Sequence, residues 1–223
     1  MESDDTESFS DYHTCVNCSL RLFGYGSLLW KPDFEYSDSR IGFISGYKRR
    51  FWQGSDVHRG TDTQKGRVAT LVPSKTGKVW GMMFEVNGAE QKRKAYGGLT
   101  QREVTLGGYD VVKTSFYPRD GSRPVEVEVF VATRKNRLFL GKASLKVMAM
   151  QIMSAAGCAG SNAEYIIKTA EFLRANIPEE TDRHLFDLCK RICDLSNDIK
   201  CLQMDEGCTE MDQLDEESDL EDS

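Results

Sequence analysis

Two glycines flank a tyrosine and lead into a serine in the stretch Leu22–Trp30, LFGYGSLLW. Glycine inside a strand pattern marks a bulge, a sharp turn or a place where a ligand or another backbone comes close. Because glycine has no Cβ to shield its amide, the run Gly24–Leu28 can direct several N–H groups into one concavity that suits an anion. The stretch is therefore a candidate anion site, and a strand-to-turn corner that binds nothing is the alternative.

Other motifs whose spacing could support catalysis or metal binding are weak in this sequence. We find no Ser-His-Asp set, no Walker loop and no glycosidase-like carboxylate pair with convincing spacing. His13, Cys15 and Cys18 have metal-like spacing, but no second ligand cluster follows them and they lie in an acidic segment. The sequence therefore disfavours a zinc site.

The two remaining histidines and a helical cysteine pair are also weak candidates. The sequence around His58 and His184 does not identify a catalytic partner for either, and such histidines are more often structural than catalytic. Cys189 and Cys193 stand four residues apart on a predicted helix, where packing or surface thiols are more common than a redox pair. We do not expect either histidine to act as a general base.

Length and composition predict one globular domain in a reducing compartment. The chain has 223 residues, 39% of them hydrophobic, which is enough for one sizeable core. Seven scattered cysteines without framework spacing indicate the cytosol. An apolar run of 18 residues is absent, and the first 20 residues carry five acids and no lysine or arginine. We therefore expect neither a membrane span nor a secretory signal.

Charge divides the chain into a basic body and two acidic tails. The tails, residues 1–19 and 205–223, hold fifteen of the 35 acids and none of the 29 bases, so the body carries about nine net positive charges. Acid-rich tails are usually disordered, and docking on the body or on a partner is the alternative. A basic body favours an anionic ligand, but no nucleic-acid motif accompanies the charge, so we predict no nucleic-acid partner.

Apolar periodicity predicts strands in the first half of the body and helices after Asn136. This order is typical of an α+β fold in which a small antiparallel sheet or barrel is flanked by C-terminal helices. Hairpins are expected around Ser74–Gly77 and Arg119–Ser122. The predicted strands are 20–26, 40–53, 67–73, 78–86, 109–118 and 124–133; the predicted helices are 88–104, interrupted or distorted at Gly97–Gly98, and then 144–157, 161–175 and 180–200, with a capping box at Ser161 and Glu164.

Several short motifs occur in an order that is more specific than any of them alone. They are LFGYGSLLWKPDF, GYKRRFWQGSDVHRGTDTQKGRVATLV, VWGMMFEV, REVTLGGYD, FYPRDGSRP, AAGCAGSNAEYI and RHLFDLCKRI. Together they resemble the ChaC family of glutathione-specific gamma-glutamylcyclotransferases, from about Leu20 to about Ile199. The resemblance implies a gamma-glutamylcyclotransferase domain at 20–204 with a small mixed or antiparallel barrel-like sheet.

The resemblance implies an activity and its ligand. Members of the family cleave reduced glutathione to 5-oxoproline and cysteinylglycine in the cytosol, without a cofactor or metal, so we expect a small-molecule substrate and no membrane partner. Two alternatives stay open: a cyclotransferase for other γ-glutamyl amino acids or amines, and a non-catalytic regulator that binds a γ-glutamyl ligand. The sequence carries no signal for an oligomeric state.

The resemblance also assigns roles to residues. It makes Glu103 the proton acceptor, although from its neighbours alone this residue reads as an exposed acid beside Arg102 at a helix end. It gives Tyr165 a place at the pocket, whereas the helix pattern alone reads it as a core aromatic. Arg49 and Arg67 match family positions too, but solvation and packing explain them equally. The implied substrate-binding residues are Leu22, Phe23, Gly24, Tyr25, Gly26, Ser27, Leu28 and Tyr165.

Overall fold

Two long strands build most of the sheet in the computed structural model of the protein, which describes residues 19–100 and 108–198. Strands β2 (Asp38–Ser55) and β3 (Gly66–Val86) pair antiparallel along nearly their whole length. A polar loop joins them, as the glycine-bounded composition of that segment predicts. These two strands carry the side chains of the barrel interior on one face.

Three further strands close the sheet into a barrel. Strand β1 (Leu20–Gly24) pairs antiparallel with β3 and parallel with β5 (Val125–Val131), and β4 (Asp110–Pro118) joins β5 to β2. The order around the barrel is β1-β3-β2-β4-β5. The predicted α+β fold with a small mixed barrel is confirmed, as is the hairpin around Arg119–Ser122.

The hairpin predicted around Ser74–Gly77 is wrong. Strand β3 runs through this segment, and both of its halves pair with β2 rather than with each other. The register changes between Ser45 opposite Lys78 and Tyr47 opposite Pro73, so the four residues form a bulge. A bulge bends a strand and increases its twist, which helps a five-stranded sheet to close.

Helices cover the barrel, and most of them follow the strands. Helix α1 (Ala89–Leu99) lies between β3 and β4, whereas α2 (Leu145–Met153), α3 (Asn162–Asn176) and α4, described over 183–198, come last. The first half of the predicted capping box is present, because the hydroxyl of Ser161 accepts from the amide of Glu164 at 3.1 Å. The carboxylate of Glu164 pairs with Arg59 and Lys168. In the described residues, no helix is long and apolar enough to cross a membrane.

Helix α1 continues through the two glycines, where the sequence predicts an interruption or a distortion. Both Gly97 and Gly98 lie within the α-helix, so an interruption is wrong, and Thr100, directly after Leu99, is π-helical. Ala95 and Leu99 lie four residues apart, on one face of the helix, and both are buried. Packing of this face against the barrel outweighs the weak helix propensity of glycine. Glu103 and the other residues of 101–107 lie outside the described part of the chain, as do residues 1–18 and 199–223 of the predicted tails.

The core consists of two apolar clusters on opposite sides of β1. The larger fills the barrel and continues under α2, α3 and α4, and the smaller lies between the barrel and α1. Alternation along β1 divides its side chains, so Phe23 joins the larger cluster and Leu22 the smaller. The end of β1 is therefore held from both sides.

Candidate active site

A pocket opens where β1 ends and α3 begins. Its volume is about 240 Å³, slightly below the range of roughly 300–1,000 Å³ for drug-sized ligands, so it suits a small molecule. The segments that line it come from the turn after β1, the end of β2 and its following loop, the start of β3, and α3. Its lining includes Phe23, Tyr25, Gly26, Ser27, Leu28, Trp30, Lys31, residues 54–59, Ala69, Tyr109, Phe130 and Tyr165.

The turn after β1 presents backbone donors to this pocket. A short 3₁₀ helix, Ser27–Leu29, follows Gly26, and Leu29 donates its amide to the carbonyl of Gly26 at 3.0 Å. Within the described residues, no acceptor is bonded to the amides of Gly26, Ser27 or Leu28. Because these residues line the pocket, their amides are candidate donors for a negatively charged ligand group.

Gly24 and Gly26 both lie so close to other side chains that a Cβ does not fit at either residue. A Cβ on Gly24 would meet the Cβ of Leu28 at 2.8 Å, and one on Gly26 would meet the hydroxyl oxygen of Tyr165 at 2.6 Å. Cβ atoms essentially never stand this close to another heavy atom. The glycine at residue 26 therefore lets the turn lie directly against a tyrosine of α3.

Tyrosine hydroxyls around the pocket are bonded to the main chain of the barrel. Tyr165 accepts from the amide of Ala69 at 3.1 Å, and Tyr109 donates to the carbonyl of the same residue at 2.9 Å. Tyr25 donates to the carbonyl of Phe130 at 2.5 Å. These contacts fix three aromatic rings of the wall relative to the strands.

Asn162 attaches the start of α3 to the barrel. It is fully buried, and its Oδ1 accepts from the amide of Arg67 at 2.6 Å while its Nδ2 donates to the carbonyl of Arg67 at 2.8 Å. The side chain thereby pairs with β3 as a neighbouring strand would. Because Tyr165 lies one helical turn further on, this attachment also sets the position of its ring.

A buried cation lies in the pocket wall. Nη1 of Arg59 donates to Glu164 at 2.7 Å and to the carbonyl of Ser161 at 2.9 Å. The guanidinium carbon lies 5.6 Å from the ring centroid of Trp30 and 5.7 Å from that of Tyr165, within the range of cation–π attraction. Hydrogen bonds from Lys168 and then Arg59 lower the pKa of Glu164, which stays ionised.

The histidine expected to be structural at residue 184 lies outside the pocket lining. Its ring stacks on Phe51 with centroids 5.8 Å apart, and its Nε2 accepts from the amide of Phe51 at 3.4 Å. Burial, followed by the nearby charge of Arg50, lowers the pKa of His184 to about 4. The ring is therefore neutral near pH 7 and serves packing. His58, in contrast, lies in the pocket lining.

The structure brings together most of the substrate-binding residues that the sequence predicts. Leu22 and Gly24 are the exceptions, since neither lines the pocket: Leu22 packs in the smaller core cluster and Gly24 allows Leu28 to approach. The predicted residues that do line it are Phe23, Tyr25, Gly26, Ser27, Leu28 and Tyr165.

Three wall residues were not singled out from the sequence. Trp30 belongs to the same apolar run as the turn, Arg59 lies in the polar loop after β2, and Tyr109 immediately precedes β4. In residues 19–100 and 108–198, no group of three or more His, Cys, Asp or Glu could hold a metal ion.

The closed barrel, the glycine turn and the tyrosine-lined pocket define an α+β barrel protein with a pocket of small-molecule size. Within that class the chain belongs to the ChaC-like protein family, whose model matches residues 20–194. The family recognised from the sequence motifs is thereby confirmed. The match spans the barrel, the pocket and the described helices up to the last turn of α4.

Curated relatives and a solved structure agree with this assignment. The chain is 47% identical to glutathione-specific gamma-glutamylcyclotransferase 1 of Mus musculus over 168 residues, which cover 75% of each chain. It is 45% identical to the protein of the same name from Danio rerio, over 76% of this chain and 87% of that one. A crystal structure of a gamma-glutamyl cyclotransferase specific to glutathione from yeast superposes with a TM-score of 0.72 at 26% identity, over 80% of this chain and 97% of that one.

Proposed function

We propose that this protein is an enzyme that converts reduced glutathione to 5-oxoproline and cysteinylglycine. The observation that carries the proposal is the turn Gly26–Leu28. Its amides have no acceptor among the described residues, and the turn lines a pocket whose wall includes Tyr165. A γ-glutamyl group offers this turn a carboxylate and a carbonyl oxygen, both of which accept hydrogen bonds. The names of the relatives, glutathione-specific gamma-glutamylcyclotransferases, support glutathione as the substrate.

The reaction needs no nucleophile from the protein. The α-amine of the γ-glutamyl group attacks its own side-chain carbonyl, so a lactam C–N bond forms and the amide bond to cysteinylglycine breaks. Because both reacting groups belong to one molecule, effective molarities of about 10⁵ M or more are accessible once the chain is folded back on itself. The pocket has to hold that folded conformation, and its rigid tyrosines suit the task.

The turn supplies electrostatic stabilisation in this scheme. The amides around Gly26, Ser27 and Leu28, with the hydroxyl of Ser27, bind the glutamyl carboxylate and the oxygen on which negative charge develops. Loss of one well-placed donor of this kind costs about 3 kcal/mol of transition-state stabilisation in other enzymes.

Glu103 is the proposed base. It takes a proton from the substrate ammonium or amine and returns one to the leaving amine of cysteinylglycine, so no proton is gained or lost overall. A carboxylate does this well near neutral pH when a restricted environment raises its pKa above the ordinary value of about 4.3. The family resemblance alone supports this role, because Glu103 lies outside the described residues.

We further infer that residues 20–204 form the catalytic unit, that both acidic tails are dispensable for turnover, and that the enzyme works in the cytosol. Three described cysteines, Cys158, Cys189 and Cys193, are free thiols, as a reducing compartment allows. Deletion of residues 205–223 should leave turnover unchanged if this division of the chain is right.

A substrate panel separates this proposal from its alternatives. Purified protein is incubated with reduced glutathione, γ-glutamyl-alanine or γ-glutamyl amines, and 5-oxoproline is measured. We expect release from glutathione only. Release from γ-glutamyl-alanine at a comparable rate would favour the broader cyclotransferase, and binding of glutathione without turnover would favour a regulator.

A further inference from the structure

Arg49 contacts the pocket turn from outside the pocket lining. Its side chain is fully buried, and its Nε donates to the carbonyl oxygen of Tyr25 at 2.9 Å. Its Nη2 donates to the carbonyl of Trp80 at 2.7 Å, on β3. One guanidinium therefore joins the last residue before the turn to a strand of the barrel.

Two acids hold the other end of this guanidinium. Nη1 of Arg49 lies 3.4 Å from Glu180 and 3.3 Å from Asp182, in the segment that precedes α4. Glu180 also accepts from the amide of Trp80 at 3.1 Å, and Asp182 accepts from the amide of Leu185 at 3.3 Å. Because the acids are themselves bonded to the main chain, the guanidinium has little freedom to move.

The contact with Tyr25 fixes the direction of a peptide plane. No cis peptide bond occurs in the described residues, so the carbonyl of Tyr25 and the amide of Gly26 belong to one trans peptide and point in opposite directions. Holding the carbonyl toward Arg49 directs the Gly26 amide away from it. Gly26 lines the pocket, and among the described residues its amide has no acceptor.

We propose that Arg49 is a positioning residue that orients the turn, so that the Gly26 amide and those after it face the substrate. The inference rests on the proposed function, since the substrate is taken to be the γ-glutamyl ligand of that turn. An arginine suits this role because its planar fork bonds two carbonyls and two acids at once. A lysine at the same residue keeps the charge but cannot hold the carbonyls of Tyr25 and Trp80 in one fixed geometry.

Arg67 offers a matched control on the neighbouring strand. It is also buried, and it donates to the side chain of Gln151 at 2.6 Å and to the carbonyls of Phe51 and Gly141 at 3.0 Å. None of these partners belongs to the turn. Arg67→Lys therefore reproduces the loss of a buried arginine fork without disturbing the peptide between Tyr25 and Gly26.

The test compares steady-state kinetics of Arg49→Lys and Arg67→Lys with glutathione, at a temperature where circular dichroism shows both variants folded. We expect Arg49→Lys to raise KM about tenfold and to lower kcat/KM about 100-fold, in line with the loss of a transition-state donor. Arg67→Lys should leave KM within about threefold of the wild type. A reduced amount of folded protein lowers the apparent kcat but leaves KM unchanged, so KM separates positioning from stability.

Equal KM values for the two variants and the wild type would overturn the role of Arg49. If Arg49→Lys does not fold, Glu180→Gln replaces it, with a KM at least about threefold higher as the expected result and an unchanged KM as the refutation. If the wild type binds glutathione without turnover, the proposed function fails, and the same comparison is made on Kd by calorimetry. Arg49→Lys should then bind more weakly, and an affinity equal to that of Arg67→Lys would overturn the inference.

Discussion

The hydroxyl oxygen of Tyr165 occupies the space that any side chain at residue 26 would need. A Cβ built on Gly26 would lie 2.6 Å from that oxygen, and the same oxygen accepts a hydrogen bond from the amide of Ala69 at 3.1 Å. The tyrosine is therefore held by β3 and cannot retreat without losing this bond. This relationship explains why the apolar run after β1 is interrupted by glycine where it meets α3.

Substitution of Gly26 by alanine should impair turnover more than folding. The added methyl displaces either the Tyr165 ring or the turn, so we expect kcat/KM to fall at least about 100-fold and the free energy of unfolding to fall by about 1–3 kcal/mol. Tyr165→Phe removes the clashing oxygen and should recover part of the lost stability in the double variant. Urea denaturation of the four proteins of this cycle measures the coupling.

Gly97→Ala is the control for a methyl added to a glycine. A Cβ at Gly97 would have no heavy atom within 4 Å, and the residue lies in α1. We expect the free energy of unfolding to rise by about 0.5–1 kcal/mol, because alanine loses less conformational entropy in a helix. If Gly26→Ala behaved in the same way, the close approach of Tyr165 would be disproved.

Asn162→Asp should destabilise the protein although the two side chains have the same shape. The buried Nδ2 that donates to the carbonyl of Arg67 becomes an oxygen, so two acceptors face each other without a proton between them. We expect the free energy of unfolding at pH 7 to fall by about 3 kcal/mol. Chemical denaturation measures this loss.

Asn176→Asp, in the last turn of α3, provides the comparison. Its side chain is exposed and, among the described residues, bonds only to the carbonyl of Phe172 at 2.9 Å. A negative charge near a helix C-terminus costs about 0.3–1 kcal/mol, so this variant should lose far less stability than Asn162→Asp. Losses of similar size at residues 162 and 176 would contradict the attachment of α3 through Asn162.

His184 should make the fold less stable in mild acid. Burial lowers its pKa to about 4, whereas in the unfolded chain it is about 6.5. As the pH falls through this window, the unfolded chain takes up a proton that the folded protein does not. The contribution of His184 to the free energy of unfolding is therefore complete above pH 6.5. It declines toward pH 4 by up to about 3 kcal/mol.

His184→Gln tests this dependence because glutamine can still accept from the amide of Phe51 but does not titrate. Burial raises the pKa of Glu180, which acts in the opposite sense, so the difference between wild type and variant isolates the histidine. Urea denaturation from pH 7.5 to 4 measures the free energy of unfolding of both proteins. The difference between them should be constant above pH 6.5 and change below it. A constant difference over the whole range would contradict a buried neutral ring.

Glu103→Gln should abolish most of the turnover without changing substrate affinity strongly. Removal of a general base lowers kcat by about 10²–10⁴, while the amide side chain keeps a similar size. Initial rates with glutathione measure the effect, and far-ultraviolet circular dichroism checks the fold. Retention of more than about a tenth of the wild-type kcat would assign proton transfer to another group.

Local signals were sufficient for much of the fold. The apolar periodicity shows the change from strands to helices, and the predicted cap by the Ser161 hydroxyl is present because it depends on residues only three apart. Glycine has no Cβ, so the sequence predicts that another group comes close to Gly26, and the structure places the hydroxyl of Tyr165 there. Features of this kind are set by neighbouring residues, so a sequence reveals them directly.

Relations between distant segments were harder to predict. The expected hairpin at Ser74–Gly77 is a bulge because β2 is long enough to pair with both halves of β3. The alternation of apolar residues within β3 does not show which strand pairs with it. Arg49 shares the inward face of β2 with Phe51, but its acidic partner Glu180 follows 131 residues later. The roles of such residues depend on topology rather than on local pattern.

The most direct test is a mass-spectrometric time course of the purified protein with reduced glutathione in water enriched in ¹⁸O. Intramolecular attack predicts 5-oxoproline and cysteinylglycine in equal amounts, with no ¹⁸O in either newly formed product, because no water enters the reaction. Glutamate carrying one ¹⁸O would show hydrolysis instead and would contradict the mechanism. Intact glutathione in the presence of folded protein would contradict catalysis itself.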